Sequence, residues 1–127
     1  MKKVSTKPQT ESQLQKDFVV WFRKRYVEIE PLFFAVGNGG RRNAWTAKIM
    51  KDEGVRAGVS DLILLIPKHG YAALLIETKT ADGKQSECQK VFEKLATRYK
   101  YLYKVVRTLP EFQKLIMWYI EDKNVEL

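Results

Sequence analysis

Residues 60–80 read SDLILLIPKHGYAALLIETKT, and this stretch decides the fold. Two apolar runs, Leu62–Ile66 and Tyr71–Ile76, flank Pro67-Lys68-His69-Gly70, the pattern of a hairpin with a buried interior. The charged groups stand at its open end: Asp61 before the first strand, Glu77 and Lys79 closing the second. Apolar strand interiors fold readily, whereas a carboxylate at a strand edge needs a partner or a purpose. If Asp61 and Glu77 lie opposite each other they share one face and can hold a hard divalent cation. Lys79, two residues on, points to the same side by the alternation of strand side chains. That register sets Pro67 opposite Tyr71 across a three-residue loop, Lys68-His69-Gly70, with Gly70 at the left-handed position such loops favour. The plainer alternative is an ordinary buried hairpin with solvent-facing end charges.

Composition narrows the setting. The chain has 127 residues, 45% of them apolar, and a mean hydropathy of −0.36, which fits one globular domain with a single core. No apolar run approaches the ~20 residues that span a bilayer, so no membrane partner is expected. The opening MKKVSTKPQT lacks the apolar segment of a secretory signal. One cysteine, Cys88, permits no internal disulfide and suits a reducing compartment, so a cytoplasmic location is expected. Cys88 itself reads as core filler on a helix. A net charge of +8 and a pI near 9.6 favour a polyanionic partner, nucleic acid above all.

Outward from the hairpin, residues 1–9 form a flexible basic arm and 10–127 one domain. Thr10-Glu11-Ser12-Gln13 is a capping box opening a helix with Leu14, Phe18, Trp21 and Phe22 inside. Leu32–Val36 is a short strand, and Asn38-Gly39-Gly40-Arg41-Arg42 a basic loop before a helix at 44–53. Ala81-Asp82-Gly83-Lys84 is a turn. Ser86-Glu87-Cys88-Gln89 opens a helix whose apolar face is Val91, Phe92, Leu95 and Tyr99. Tyr101–Arg107 is a strand. Thr108 caps a last helix in which Leu115, Trp118 and Tyr119 face inward and residues 115–120 are apolar nearly all round, as in a helix buried on two sides. Strand, helix, strand near the end implies a right-handed crossover and hence an α/β fold, a mixed sheet flanked by helices.

The ordered set Gly54-Val55-Arg56-Ala57-Gly58-Val59-Ser60-Asp61-Leu62, then Glu77-Thr78-Lys79, then Lys84-Gln85-Ser86-Glu87-Cys88-Gln89 resembles the virus-type replication-repair nuclease (VRR-NUC) family. That family is a branch of the PD-(D/E)xK, restriction-endonuclease-like superfamily, with an αβββαβ core, and stand-alone members occur in bacteriophages. The resemblance implies metal-dependent DNA endonuclease activity with Mg2+ or Mn2+. It implies that Asp61, Glu77, the Thr78 carbonyl and Glu11 serve the metal, that Lys79 lies beside the attacking water, and that Gln89 matches the glutamine following the ExK motif. Two departures stand out: Ser60 replaces the usual proline before the aspartate, and Thr97-Arg98-Tyr99-Lys100 lacks the glycine that often ends the following helix.

Each residue also has a simpler reading. Lys79 also reads as a solvated strand-end lysine, Glu11 as a favourable charge at a helix N-terminus, and Gln89 as part of its own cap. Arg41, Arg42, Arg56 and Lys84 are candidate phosphate contacts around the carboxylate pair, against a plain solvated surface. His69 falls at the far end of the hairpin and reads as a turn residue. The resemblance to stand-alone VRR-NUC members, which are similar to junction-resolving enzymes, implies branched DNA such as a four-way junction as the substrate. Paired cuts need two metal centres, so a homodimer is expected. The contrasting class is a non-catalytic DNA-binding module that keeps the fold.

Overall fold

A computed structural model of the chain describes residues 9–37 and 44–124, with the side chains of 44–47 excepted. Its elements are α1 (Glu11–Arg25), β1 (Phe33–Ala35), α2 (Ala44–Asp52), β2 (Leu62–Leu64), β3 (Leu74–Thr78), α3 (Glu87–Arg98), β4 (Leu102–Val106) and α4 (Leu109–Glu121), with a 3-10 turn at Glu30–Leu32 before β1. The strands lie in the order β1-β2-β3-β4. The first two pairings are antiparallel and β3–β4 is parallel, the consequence of the α3 crossover. The result is a mixed four-stranded sheet flanked by helices. No helix among the described residues is long and apolar enough to cross a membrane.

Alternation along the strands builds two unequal cores. Leu62, Leu64, Leu74 and Ile76 face one side and pack with Leu14, Phe18 and Phe22 of α1 and Phe112, Ile116 and Tyr119 of α4. The rings of Phe18 and Phe112 stack there with centroids 4.5 Å apart. The other side is thinner: Leu75 and Tyr103 meet Ala96 of α3, with Ile63, Phe92 and Val105 around them. β3 is buried along its whole length, as expected of a central strand covered on both faces.

The β2–β3 ladder pairs Leu62 with Ile76, Ile63 with Leu75 and Leu64 with Leu74, the register in which Asp61 lies opposite Glu77. The hairpin tip departs from expectation. Lys68 pairs with Tyr71, and the loop is the two residues His69-Gly70, at φ 54° and 81°. Positive φ at both central positions marks the hairpin turn whose twist matches the strands. The left-handed His69 closes the loop one residue early, and the surplus residue sits on the β2 side, where Leu65–Pro67 face Ala72–Ala73. His69 is held there from outside the hairpin. Its ring stacks on Trp118 at 4.2 Å, and its Nε2 lies 3.1 Å from the Tyr119 carbonyl.

The helix caps follow the sequence closely. Ser86 and Thr108 form complete capping boxes with Gln89 and Glu111. At Thr10 only half the box forms: its hydroxyl accepts from the Gln13 amide, while the Gln13 side chain donates to Asp17 instead. The face of α3 differs from the one its hydropathy suggests. Val91, Leu95 and Tyr99 are exposed, and Phe92 and Ala96 meet the sheet. Cys88 is exposed too, rather than core filler. The reason is tertiary: the small Ala96 allows close approach to the sheet, and Gln89 is drawn toward a buried carboxylate. At the end of α3 the missing glycine is replaced by Lys100 in the left-handed region at φ 72°. The Tyr101 amide bonds back to the Ala96 carbonyl across it.

Candidate active site

The open end of the hairpin gathers polar groups on the α3 side of the sheet. Glu77, the penultimate residue of β3, is only 1% exposed. Its Oε1 accepts from Gln89 Nε2 at 2.6 Å and its Oε2 from the Tyr103 hydroxyl at 3.2 Å. Gln89 is placed to do this by its own cap, since its Oε1 accepts from the Ser86 amide while its amide nitrogen serves Glu77. Asp61 Oδ2 accepts from the Thr78 amide at 2.8 Å, which ties the carboxylate to the end of β3. Burial pushes the Glu77 carboxyl up, to about 8, and the neighbouring Asp61 charge adds to the rise. Lys79 and the Tyr103 hydroxyl act in the opposite direction. Burial also raises the Tyr103 phenol.

Lys79 is 9% exposed, and its ammonium lies 3.9 Å from Glu11 Oε1 at the start of α1. Gly83 packs over both: a Cβ there would lie 3.3 Å from Glu11 Oε1 and from Lys79 Cδ. The 80–83 turn is clamped by Arg107, whose guanidinium donates to the Thr80 and Gly83 carbonyls, each at 2.7 Å. On the approach to Asp61, Gly58 takes φ +87°, and a Cβ there would come within 2.7 Å of the Cys88 backbone. Only glycine allows the 54–60 loop to lie so tightly on the start of α3. That contact sets Asp61 and Gln89 in one assembly.

Asp61, Glu77, Lys79 and Gln89 therefore converge at one end of the sheet. Glu11 reaches this end from the first turn of α1, but it pairs with Lys79 rather than joining the two carboxylates. Among the described residues no three His, Cys, Asp or Glu side chains form a metal-ligand cluster. Arg56 and Lys84 are exposed, on the loops preceding Asp61 and following β3. Arg41 and Arg42 lie outside the described residues. Ser60, in place of the expected proline, is fully buried, as is Thr78, and neither hydroxyl has a hydrogen-bond partner among the described residues. Tyr103 and Arg107 were not singled out from the sequence. Both lie on or just after β4, and their link to Glu77 and the 80–83 turn follows from its parallel pairing with β3.

The sequence profile of the VRR-NUC domain matches residues 9–108. The chain belongs to the VRR-NUC domain family. A solved structure described as a VRR_NUC domain protein is similar over 91% of both chains, with a TM-score of 0.74 and 24% identity, a likeness of fold. A comparison with curated proteins gives no match. Membership of the VRR-NUC family implies a nuclease-type, DNA-processing function with DNA as the partner, in a family typically dependent on divalent metal. The mixed sheet and its flanking helices agree with the PD-(D/E)xK-like α/β fold.

Proposed function

We propose that the protein is a DNA endonuclease that uses Mg2+ or Mn2+ bound by Asp61 and Glu77, with the Thr78 carbonyl as a further oxygen donor. The observation that carries this reading is the buried Glu77 carboxyl set opposite Asp61, two acidic groups drawn together at a strand end. The donor set suits a hard cation, because Mg2+ takes oxygen ligands and keeps several waters, so one or two carboxylates suffice. When bound, such an ion polarises the phosphate and lowers the pKa of its water.

The chain's own groups have distinct tasks. Gln89 and Tyr103 donate to the two oxygens of Glu77, fixing its rotamer and favouring its charged form. Asp61 is oriented by the Thr78 amide. Lys79, largely buried, stabilises negative charge as the phosphate oxygens gain it and orients the attacking water. Glu11 opposite its ammonium holds Lys79 in place, acting as a positioning residue rather than a ligand. Arg41, Arg42, Arg56 and Lys84 are assigned to backbone phosphates.

The substrate in this proposal is branched DNA, cut by a homodimer. What supports the dimer is α3, whose exposed Val91, Leu95 and Tyr99 form an apolar stripe. Glu87 lies in the first turn of α3 and Arg98 in the last. Two copies packed antiparallel about a two-fold axis would match each Glu87 with the partner's basic end. Trp118 does not suit this role, since it is half-buried against the core and stacked on His69. The experiment is cleavage of single-stranded, duplex, flap and four-way DNA, each with Mg2+ and with chelator. Metal-dependent cutting with preference for the junction is the expected result. Binding without cutting of any substrate would instead identify a non-catalytic DNA-binding module.

A further inference from the structure

A cleft of about 690 Å3 runs from Asp61 and Glu11 along the outer surface of α1, lined there by Lys16, Val19, Val20 and Arg23. Lys16, Val20 and Arg23 fall on one helical stripe turned away from the Leu14-Phe18-Phe22 stripe that enters the core, with Val19 partly buried at the core's edge. The acidic groups lie at one end of the cleft, with the two cations further along. Val20 between them is 51% exposed, with Val19 beside it in the lining. Arg23 makes an ion pair with Glu30 at 3.4 Å, but both side chains are solvent-exposed, 60% and 37%, and such pairs are weak enough to exchange for a phosphate. Lys16 and Arg23 are two helical turns apart, about 10.5 Å at 1.5 Å per residue. Neighbouring phosphates of one strand lie about 6–7 Å apart, of which 3.4 Å is axial rise, so that span suits phosphates one or two steps apart.

We propose that this cleft is the bed for one strand of the DNA substrate, with Lys16 and Arg23 each holding a backbone phosphate and Val20 packing on the sugar between them. The inference rests on the nuclease reading and extends it by a strand path along α1. A strand laid along the stripe reaches Asp61 at the end of the cleft, so the phosphate there and those at Lys16 and Arg23 belong to one continuous chain. The overall charge of +8 favours such a polyanion.

The test measures binding of a fluorescent duplex and a four-way junction by anisotropy, in Ca2+ over a range of salt, for wild type and for Lys16→Gln/Arg23→Gln. Cleavage by the wild type in Mg2+ is followed in parallel. The double variant is expected to bind weakly and to lower the log–log salt slope by about 1.8, two contacts at about 0.9 each. The control is Lys104→Gln/Lys114→Gln, which removes two exposed cations of β4 and α4 that do not line the cleft, and a near-wild-type slope is expected. Val20→Asp should weaken binding by tenfold or more while the fold, followed by circular dichroism, is kept. Neutral methylphosphonates placed singly along the strand should weaken wild-type binding at two positions one or two steps apart, and leave the Lys16→Gln/Arg23→Gln variant unaffected there. A wild type that cleaves while the cleft variant keeps its slope, or loses no more than the control, overturns the strand path and leaves the nuclease reading intact. A wild type that neither binds nor cleaves DNA overturns both.

Discussion

Removing the charge from Glu77 should stabilise the metal-free protein, because that carboxylate is buried beside Asp61. Its folded-state value is raised from 4.5 to about 8. A raised carboxyl contributes stability that is complete below the unfolded value and lost as pH rises toward the folded one. The loss therefore falls between about pH 4.5 and 8. Each tenfold change in the proton equilibrium is worth about 1.4 kcal/mol, so stability should fall by about 2–3 kcal/mol between pH 5 and 7. For a chain of this size that is a drop in Tm on the order of 10 °C. Glu121, lowered to about 2 by its hydrogen bonds from Arg25 and Tyr26, acts in the opposite sense and below this window, since its stability is lost only as pH falls through its folded value. Glu77→Gln keeps the shape and has no charge to bury, so the slope between pH 5 and 8 should flatten and the variant should be the more stable protein at pH 8. The assay is urea denaturation in chelator at several pH values, wild type beside variant. Saturating Mg2+ should restore wild-type stability at pH 8 and leave Glu77→Gln unchanged. Parallel pH slopes in the two proteins would refute the reasoning.

Gly58→Ala combines left-handed strain with a Cβ 2.7 Å from the Cys88 backbone, so a loss of roughly 2–4 kcal/mol is expected in denaturant melts. Gly54→Ala, at φ +102° with open space around it, should lose less. Lys100→Gly relieves a non-glycine left-handed cap and should gain roughly 0.5–1 kcal/mol in the same melts, less the extra freedom of glycine in the unfolded chain. Tyr103→Phe removes a donor that favours the charged form of Glu77, so the Mg2+ concentration for half-maximal binding, read by calorimetry, should rise about tenfold or more with the fold intact. Leu95→Glu should convert a dimer to a monomer by light scattering without lowering Tm, because Leu95 is exposed.

The strand register and the shared face of Asp61, Glu77 and Lys79 were legible because they rest on local rules, whereas Gln89 joined them only through the resemblance to the VRR-NUC family. Side-chain alternation, two complete capping boxes and a strand–helix–strand connection suffice to place Asp61, Glu77 and Lys79 at one end of a mixed sheet. What was not legible depends on partners far along the chain. His69 takes a left-handed turn because Trp118 and the α4 carbonyls hold it, and nothing in Lys68-His69-Gly70 announces them. Hydropathy alone turns Val91, Leu95 and Tyr99 inward, yet the sheet accepts Ala96 for its size and Gln89 for its hydrogen bond to Glu77. Tyr103 and Arg107 acquire their roles only once β4 is seen to lie parallel beside β3. The cleft along α1 escaped notice because Lys16 and Arg23 look like any solvated pair until Asp61 is found at its end.

The most direct measurement is cleavage of a labelled four-way junction by the wild type and by Asp61→Asn, with binding and circular dichroism recorded on the same preparations. Asp61 accepts from the Thr78 amide, and an asparagine oxygen can do the same, so the variant should fold and bind DNA. Cutting in Mg2+ by the wild type, its absence in chelator, and its loss by orders of magnitude in Asp61→Asn is the expected outcome. Undiminished cutting by folded Asp61→Asn, or by the wild type in chelator, would contradict a cation held between Asp61 and Glu77.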